Sequence, residues 1–291
     1  MNILVVGGTR FAGVHMVQQL LADGHAITIA TRGKAADDFG DTVERVVIER
    51  TDADSIIQAL GGRHFDVVYD TQAFSSNEVK YLLDAIECGR YIAVSTVSVY
   101  SPDLRITQPE SDFEPTTYPL QWIGRNDFEY DEIKRQTECA MFQTYAHIPS
   151  VAVRFPLIIG TDDYTKRLYF YVERIVKSMP MNVDNLDSKL EFIMSNDAGR
   201  FLAWLATSDF CGPINAANVG CATLGEIIAY VEQKSGVKAI LAQDGEDATL
   251  NGFPDYGLDL SLANQIGYAF ADIKKPLYSL LNSYIEIART S

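Results

Sequence analysis

Short apolar runs rich in β-branched residues recur along the chain. After an opening Ile3-Leu4-Val5-Val6 they lie at 26–30, 46–49, 66–70, 91–95 and 151–154. Uninterrupted runs of this length suit strands buried on both faces. The stretches between them, 53–60, 76–88 and 127–146, space their apolar positions as helices do, and so does the stretch that ends at Leu21. Strand and helix in alternation predict βαβ units, which the right-handed crossover rule winds into an α/β fold with a doubly wound parallel sheet. A ligand belongs at the carboxyl ends of such strands. The rhythm changes after Gly160, where an aromatic helix around Tyr169, Phe170 and Tyr171 is followed by a Met-Pro-Met break and short mixed elements. Residues 1–160 are therefore expected to form the sheet domain, and 161–291 a smaller, mixed α/β C-terminal part facing the substrate. Within 190–218, the strand Leu190–Met194, a helix over 197–207 and Pro213–Ala216 are expected to rejoin the main sheet.

The first strand runs straight into Gly7-Gly8-Thr9-Arg10-Phe11-Ala12-Gly13. Gly7 allows a tight exit, and Gly13 lets the next helix pack close to the sheet with its N-terminal amides aimed at a pyrophosphate. This is the grammar of a Rossmann-type dinucleotide site, with Gly7, Thr9, Arg10, Phe11 and Gly13 as cofactor-binding candidates. Arg10 stands where a middle glycine is usual. The second strand ends Ala30-Thr31-Arg32-Gly33 without the acidic residue that would accept the adenosine ribose hydroxyls of NAD. Arg10 and Arg32 are instead placed to clasp a 2′-phosphate, so NADP is the expected cofactor and NAD the alternative. Asp52, in Thr51-Asp52-Ala53-Asp54, either faces the adenine edge or is an ordinary helix N-cap. Topology brings Thr71, Gln72 and Ala73, after the fourth strand, alongside the cofactor.

The fifth strand reads Tyr91-Ile92-Ala93-Val94-Ser95-Thr96-Val97-Ser98-Val99-Tyr100 and places a cluster of hydroxyls where it leaves the sheet, with Ser95 a candidate cofactor contact. Further on comes Tyr130-Asp131-Glu132-Ile133-Lys134. A tyrosine and a lysine at i and i+4 share one helix face. A free tyrosine has a pKa of about 10 and is a poor base near neutrality, and adjacent positive charge favours the phenolate. Tyr130 is thus a candidate proton carrier for hydride chemistry. A second copy of the spacing, Tyr230 to Lys234, lies where a peripheral helix is expected.

Charge and cysteine usage narrow the class. The formal charge of −15 over 291 residues, with no run of more than two basic residues, makes nucleic acid a poor default partner. Cys88, Cys139, Cys211 and Cys221 are far apart and read as free thiols of a reducing, cytoplasmic compartment. His15, His25, His64 and His147 are scattered, so neither a metal site nor a Ser-His-Asp triad has a sequence basis. No secretory signal is evident, and no apolar run approaches membrane-spanning length, so no membrane partner is expected.

Taken in order, GGTRFAG, STVSVY, YDEIK with Glu138 one turn on, RFPLIIG, NDAGRFLAWLA and the late SLANQIGY resemble the extended branch of the short-chain dehydrogenase/reductase superfamily, the NAD(P)-dependent epimerases, dehydratases and reductases. The resemblance spans nearly the whole chain. It implies that Thr96 holds the substrate oxygen, that Tyr130 is the acid/base, and that Lys134 binds the nicotinamide ribose and lowers the tyrosine pKa. Phe155 and Pro156 would lie near the nicotinamide. It also implies a homodimer through 76–88 and the Tyr130 helix. Two departures weaken the match to sugar-nucleotide epimerases: Leu190 replaces an arginine that grips the substrate diphosphate, and Leu157 replaces an asparagine. Lys166, Arg167 and Arg174 are candidates to compensate. The loop from Pro102 to Asn126, carrying Tyr118, Trp122 and Arg125, is expected either to overhang the substrate or to be stapled to the body. The expected function is an NADP(H)-dependent oxidoreductase or epimerase/dehydratase acting at a carbonyl/alcohol centre of a small molecule, a sugar or sugar nucleotide among the candidates. The GGTRF turn also resembles atypical members that include chloroplast stem-loop-binding proteins, so the alternative is a non-catalytic dinucleotide-binding module, a redox sensor or an RNA- or protein-binding protein.

Overall fold

The computed structural model describes all residues, Met1–Ser291. In chain order the strands and helices are β1 Asn2–Val6, α1 Ala12–Ala22, β2 Ala26–Thr31, β3 Glu44–Val47, α2 Ala53–Leu60, β4 Val67–Asp70, α3 Ser76–Leu83, β5 Tyr91–Thr96, α4 Tyr130–Cys139 and β6 Ser150–Phe155. There follow β7 Leu157–Ile159, α5 Arg167–Val176, β8 Lys189–Met194, α6 Ser195–Trp204, β9 Gly212–Asn215, β10 Cys221–Thr223, α7 Leu224–Ser235, α8 Ser261–Gln265 and α9 Lys274–Thr290. Seven strands form one sheet in the order β9-β6-β5-β4-β1-β2-β3, every pair parallel. The expected doubly wound Rossmann-type sheet is therefore present. Its strand order reverses between β1 and β4, and the crevice at that switch point is where ligands bind in open α/β sheets.

Alternation along β1 explains the two layers. Ile3 and Val5 face α1 and α6 through Met16, Val17, Phe201 and Leu202. Leu4 and Val6 face α2 and α3 through Ile56, Leu60, Val79 and Leu82. With helices on both faces, nearly every position of β1 must be apolar, which is the run visible in the sequence.

Three expectations change. The stretch 76–88 is helical only through Leu83, because Glu87–Cys88 pairs with His64–Phe65 and the Ala85 carbonyl accepts from the Gly62 N–H. The third strand covers 44–47 rather than 46–49. Of the 190–218 segment, β9 joins the main sheet and α6 packs beneath it, but β8 does not. It pairs with β7 in parallel and with β10 antiparallel in a separate three-stranded sheet. The reason is its second face: Leu190 and Phe192 enter a core with Tyr171, Ile227 and Leu281 of α5, α7 and α9, while Ile193 belongs to the main core.

A fully buried ion pair lies under the carboxyl end of the sheet. Arg154 of β6 meets Glu138 of α4 at 2.6 Å, both without side-chain exposure. The remaining Arg154 donors go to the Tyr100 hydroxyl and to the carbonyls of Glu110 and Phe113, so the pair is satisfied all round.

Candidate functional site

The glycine turn at the end of β1 is built for close approach. Gly7 has φ +93°, and a Cβ there would fall 2.2 Å from Thr71 Oγ1, which itself donates to the Val6 carbonyl at 2.9 Å. A Cβ on Gly13 would fall 2.8 Å from the Gly8 Cα, so only glycine lets α1 rise directly from the turn. Phe11, at φ 54°, precedes α1 without a side-chain cap, and the first turn carries no acidic residue. The Gly13 and Val14 amides close back on the Arg10 and Phe11 carbonyls at 3.1 and 2.9 Å, so the Ala12 amide, first of the helix, is the one left for an anion. The turn forms one wall of a cleft of about 400 Å³ over the β1/β4 switch point, with Thr31 and Arg32 at the end of β2 and Thr71 and Gln72 after β4. These are features a dinucleotide fits: a cradle that any side chain would fill, and an uncapped helix aimed at it.

Not every expected residue reaches the cleft. Arg32 lines it together with Lys34, and both are exposed. Arg10 also lines it but turns toward the far wall, where its guanidinium lies 5.4 Å from the centre of the Tyr164 ring. Asp52 is outside the lining. Its carboxylate accepts from the Asp54 and Ser55 N–H groups and caps α2, the ordinary role of an aspartate before a helix. Ser95 is buried and donates to Glu138 at 2.5 Å, which removes it from the cofactor wall. Phe155 lines the cleft; Pro156 is buried outside the lining, and Ala73 is buried beside it.

Several wall residues escaped the sequence reading. Glu49 and Arg50 stand where Asp52 was expected, Val94, Ile158 and Tyr164 line the cleft with them, and Arg125, named only as part of the loop over the substrate, lines it too. The Thr51 N–H holds the Glu49 carboxyl below its ordinary range, with Arg32 and Arg125 adding to the effect from nearby. Arg50 pairs with the buried Asp70, and Arg125 donates to Glu78 at 2.6 and 2.8 Å. Only Glu49 and Arg50 left a signal, by following the third strand directly.

At the reacting end, Thr96 Oγ1 accepts from the Ser98 N–H at 3.2 Å and opens a short 3-10 turn. Tyr130 begins α4. Its residue surface is 47% exposed, yet the surroundings of its hydroxyl desolvate it and push its pKa upward, while Thr96 and Arg167 pull the other way. Lys134 does not reach it. The residue is 4% exposed, and its ammonium donates to the carbonyls of Ala73 at 2.6 Å and Val94 at 2.8 Å. Burial brings its pKa down to about 8, against the attraction of Asp70, Glu138 and Glu78. A buried ammonium must find acceptors, and the two carbonyls are nearer than the phenol.

The loop 102–126 is stapled to the body. Ser76 donates to the Gln121 carbonyl at 2.6 Å and accepts from the Ile123 N–H at 2.9 Å, and Tyr118 donates to Glu132 at 2.9 Å. Of the residues it carries, Arg125 lines the cleft. Of the three candidate cations, Arg174 pairs with Glu246 and Lys166 lies over Tyr169, whereas Arg167 stays exposed and acts on the phenols of Tyr130 and Tyr256. The second Tyr-x-x-x-Lys copy packs on α7, where Tyr230 stacks on Tyr278 at 4.3 Å. Ser195, His15 and Asp162 do meet, but Ser195 donates to Asp162 at 2.7 Å and lies 3.4 Å from the imidazole, a brace between α1 and α6 rather than a nucleophile with its base.

Comparison with known proteins agrees with this architecture. A family model described as the NAD dependent epimerase/dehydratase family matches residues 3–220. The chloroplast stem-loop binding protein of 41 kDa b from Arabidopsis thaliana is 34% identical over 113 residues, which are 34% of this chain and 30% of that protein, so the match spans less than a third of that relative's length. Among solved structures, UDP-glucose 4-epimerase of Thermotoga maritima with UDP-glucose superposes with a TM-score of 0.72 at 15% identity, over 100% of this chain and 99% of that one. UDP-glucuronic acid 4-epimerase of Bacillus cereus in complex with NAD gives 0.72 at 18% identity, over 100% and 99%. Vestitone reductase of alfalfa gives 0.69 at 16%, again over 100% and 99%. At such identities the likeness is one of fold. No helix is long and apolar enough to cross a membrane.

Proposed function

Because the chain belongs to the NAD dependent epimerase/dehydratase family, we propose that it is an NADP(H)-dependent enzyme acting at a carbonyl/alcohol centre of a small molecule. The observation that carries the cofactor preference is the adenosine end of the cleft, where Arg32 and Lys34 stand exposed and the residues directly after β2, Arg32-Gly33-Lys34, include no acid to take the ribose hydroxyls. A 2′-phosphate meets two cations there. The glycine turn and the amides of α1 would hold the pyrophosphate, and Thr71, Gln72, Val94 and Phe155 the remaining wall. The bound nicotinamide would supply or accept the hydride.

The chain's own part in the chemistry is the proton. Tyr130 is set to donate from its phenol to a substrate oxygen held near Thr96, and to take the proton back in the reverse direction. Lys134 acts through the backbone: by gripping the carbonyls of Ala73 and Val94 it fixes the two segments that border the reacting end. Arg167 is the cation available to an acidic group on the substrate, so the reading favours substrates that carry one. A homodimer through α3 and α4 belongs to the same proposal.

The test is calorimetric titration of the wild type and of Arg32→Ala with NADPH and NADH, followed by a carbonyl-substrate screen with Tyr130→Phe. NADPH should bind preferentially, and Arg32→Ala should remove that preference while leaving NADH binding intact. Tyr130→Phe should bind NADPH normally and lose about 100-fold or more in turnover. Undiminished turnover by that variant refutes the mechanism. The relative named for stem-loop binding supports a second reading, a nucleic-acid-binding role without catalysis. That reading predicts RNA binding that survives loss of Tyr130 and no turnover by the wild type.

A further inference from the structure

On the premise that the cleft binds a dinucleotide, we propose that Arg10 and Tyr164 form a clasp over its pyrophosphate, Arg10 supplying the charge and Tyr164 holding it in place. This reassigns the arginine of the glycine turn from the adenosine phosphate to the bridge between the two nucleotides. Both residues line the cleft. The Arg10 guanidinium lies 5.4 Å from the Tyr164 ring centre, and the same ring meets Phe11 edge-on at 6.2 Å and 78°. Tyr164 belongs to the turn after β7, which continues β6, whereas Arg32 follows β2, and β1, β4 and β5 lie between them in the sheet. An Arg10 side chain stacked on Tyr164 is directed away from Arg32. A guanidinium lying over an aromatic face keeps its N–H edge free for an anion. The nearest place for an anion is the uncapped start of α1, one residue away.

Tyr164 is 62% exposed, an unusual position for a large aromatic, yet its turn is pinned on all sides. The Tyr284 hydroxyl donates to the Gly160 carbonyl at 2.5 Å, and the Asp163 N–H closes on the same carbonyl at 3.0 Å. Asp162 accepts from Ser195 at 2.7 Å and meets His15 at 3.0 Å, and Asp163 accepts from the Thr165 N–H and hydroxyl at 2.8 and 2.6 Å. His15 sits on α1 itself, so the turn that carries Tyr164 is tied to the helix whose N-terminus receives the phosphates. The ring is held over the cleft by its backbone and needs no burial of its own.

Both dinucleotides carry the pyrophosphate, so calorimetry with NADPH and NADH separates the two assignments of Arg10. Arg10→Ala should weaken both by the same factor, about tenfold or more, whereas Arg32→Ala should weaken NADPH alone. Tyr164→Ala should weaken both cofactors as Arg10→Ala does, Tyr164→Phe should bind like the wild type because the ring face is kept, and the double variant should bind no worse than Arg10→Ala. Selective loss of NADPH in Arg10→Ala overturns the clasp and returns that residue to the 2′-phosphate. Additive losses in the double variant, or a Tyr164→Phe as weak as Tyr164→Ala, overturn it as well. A wild type that binds neither dinucleotide defeats the underlying cofactor reading, an outcome seen before any variant is made.

Discussion

Glu191 lies on β8 with 8% of its surface exposed; one carboxyl oxygen accepts from the Leu258 N–H at 2.9 Å, and no cation is paired with it. Desolvation raises its pKa to about 7. A carboxyl whose pKa is higher folded than unfolded adds stability that is complete below about pH 4.3 and is lost as pH rises through the folded value. Glu191→Gln, which keeps an acceptor for Leu258 and carries no charge, should therefore match the wild type near pH 4 and exceed it by up to about 3 kcal/mol at pH 8 in denaturant unfolding. A gap that does not open with pH would show that the site is hydrated. At this scale the sequence revealed groups whose role is local. Gly7, Gly13 and Arg32 are placed by the turns they sit in, and all three line the cleft. The hydrogen bonds of Ser95 and Lys134 were not legible, because their partners, Glu138 for one and the Ala73 and Val94 carbonyls for the other, are distant in the chain. No spacing rule reports those contacts.

Asp52 shows how an element can claim a residue that looks free for a ligand. Its carboxylate satisfies two leading N–H groups of α2, and adenine would have to displace one of them. Asp52→Ala should cost about 1 kcal/mol of stability and leave NADPH affinity unchanged in titration; a loss of affinity would put the side chain back in the cleft. The elements themselves were largely legible, because strands covered on both sides must be apolar throughout and helices covered on one side must be periodic. The exception, β8, shows the limit of that rule. Leu190, Phe192 and Ile193 would be apolar in either sheet, and the choice is made by α5, α7 and α9, whose packing no local pattern encodes.

Over the whole molecule the net charge is −15, yet the cleft wall carries Arg10, Arg32, Lys34, Arg50 and Arg125 against Glu49, with Asp70 and Glu78 pairing Arg50 and Arg125 from behind. An acidic body with a basic slot repels polyanions while focusing a small anionic ligand. Raising the ionic strength from about 0.02 to about 0.5 M shortens the screening distance severalfold, and it should weaken NADPH more than NADH, which lacks the extra phosphate. Equal salt dependence for the two would remove Arg32 and Lys34 from the account of selectivity. The charge total in the sequence could not show this slot, since its cations arrive from four separate loops.

The packing of α6 beneath the sheet sets the order in which the molecule can be made. When Gly160 leaves the ribosome, Ile3, Val5 and Val153 have no Phe201, Leu202 or Leu205 to lie against. The nascent chain holds all but one of the strands of its nucleotide platform and still shows an oily face. Anyone cutting out the platform as a stand-alone module must splice the stretch 195–215 back onto it, because biosynthesis supplies that cover late.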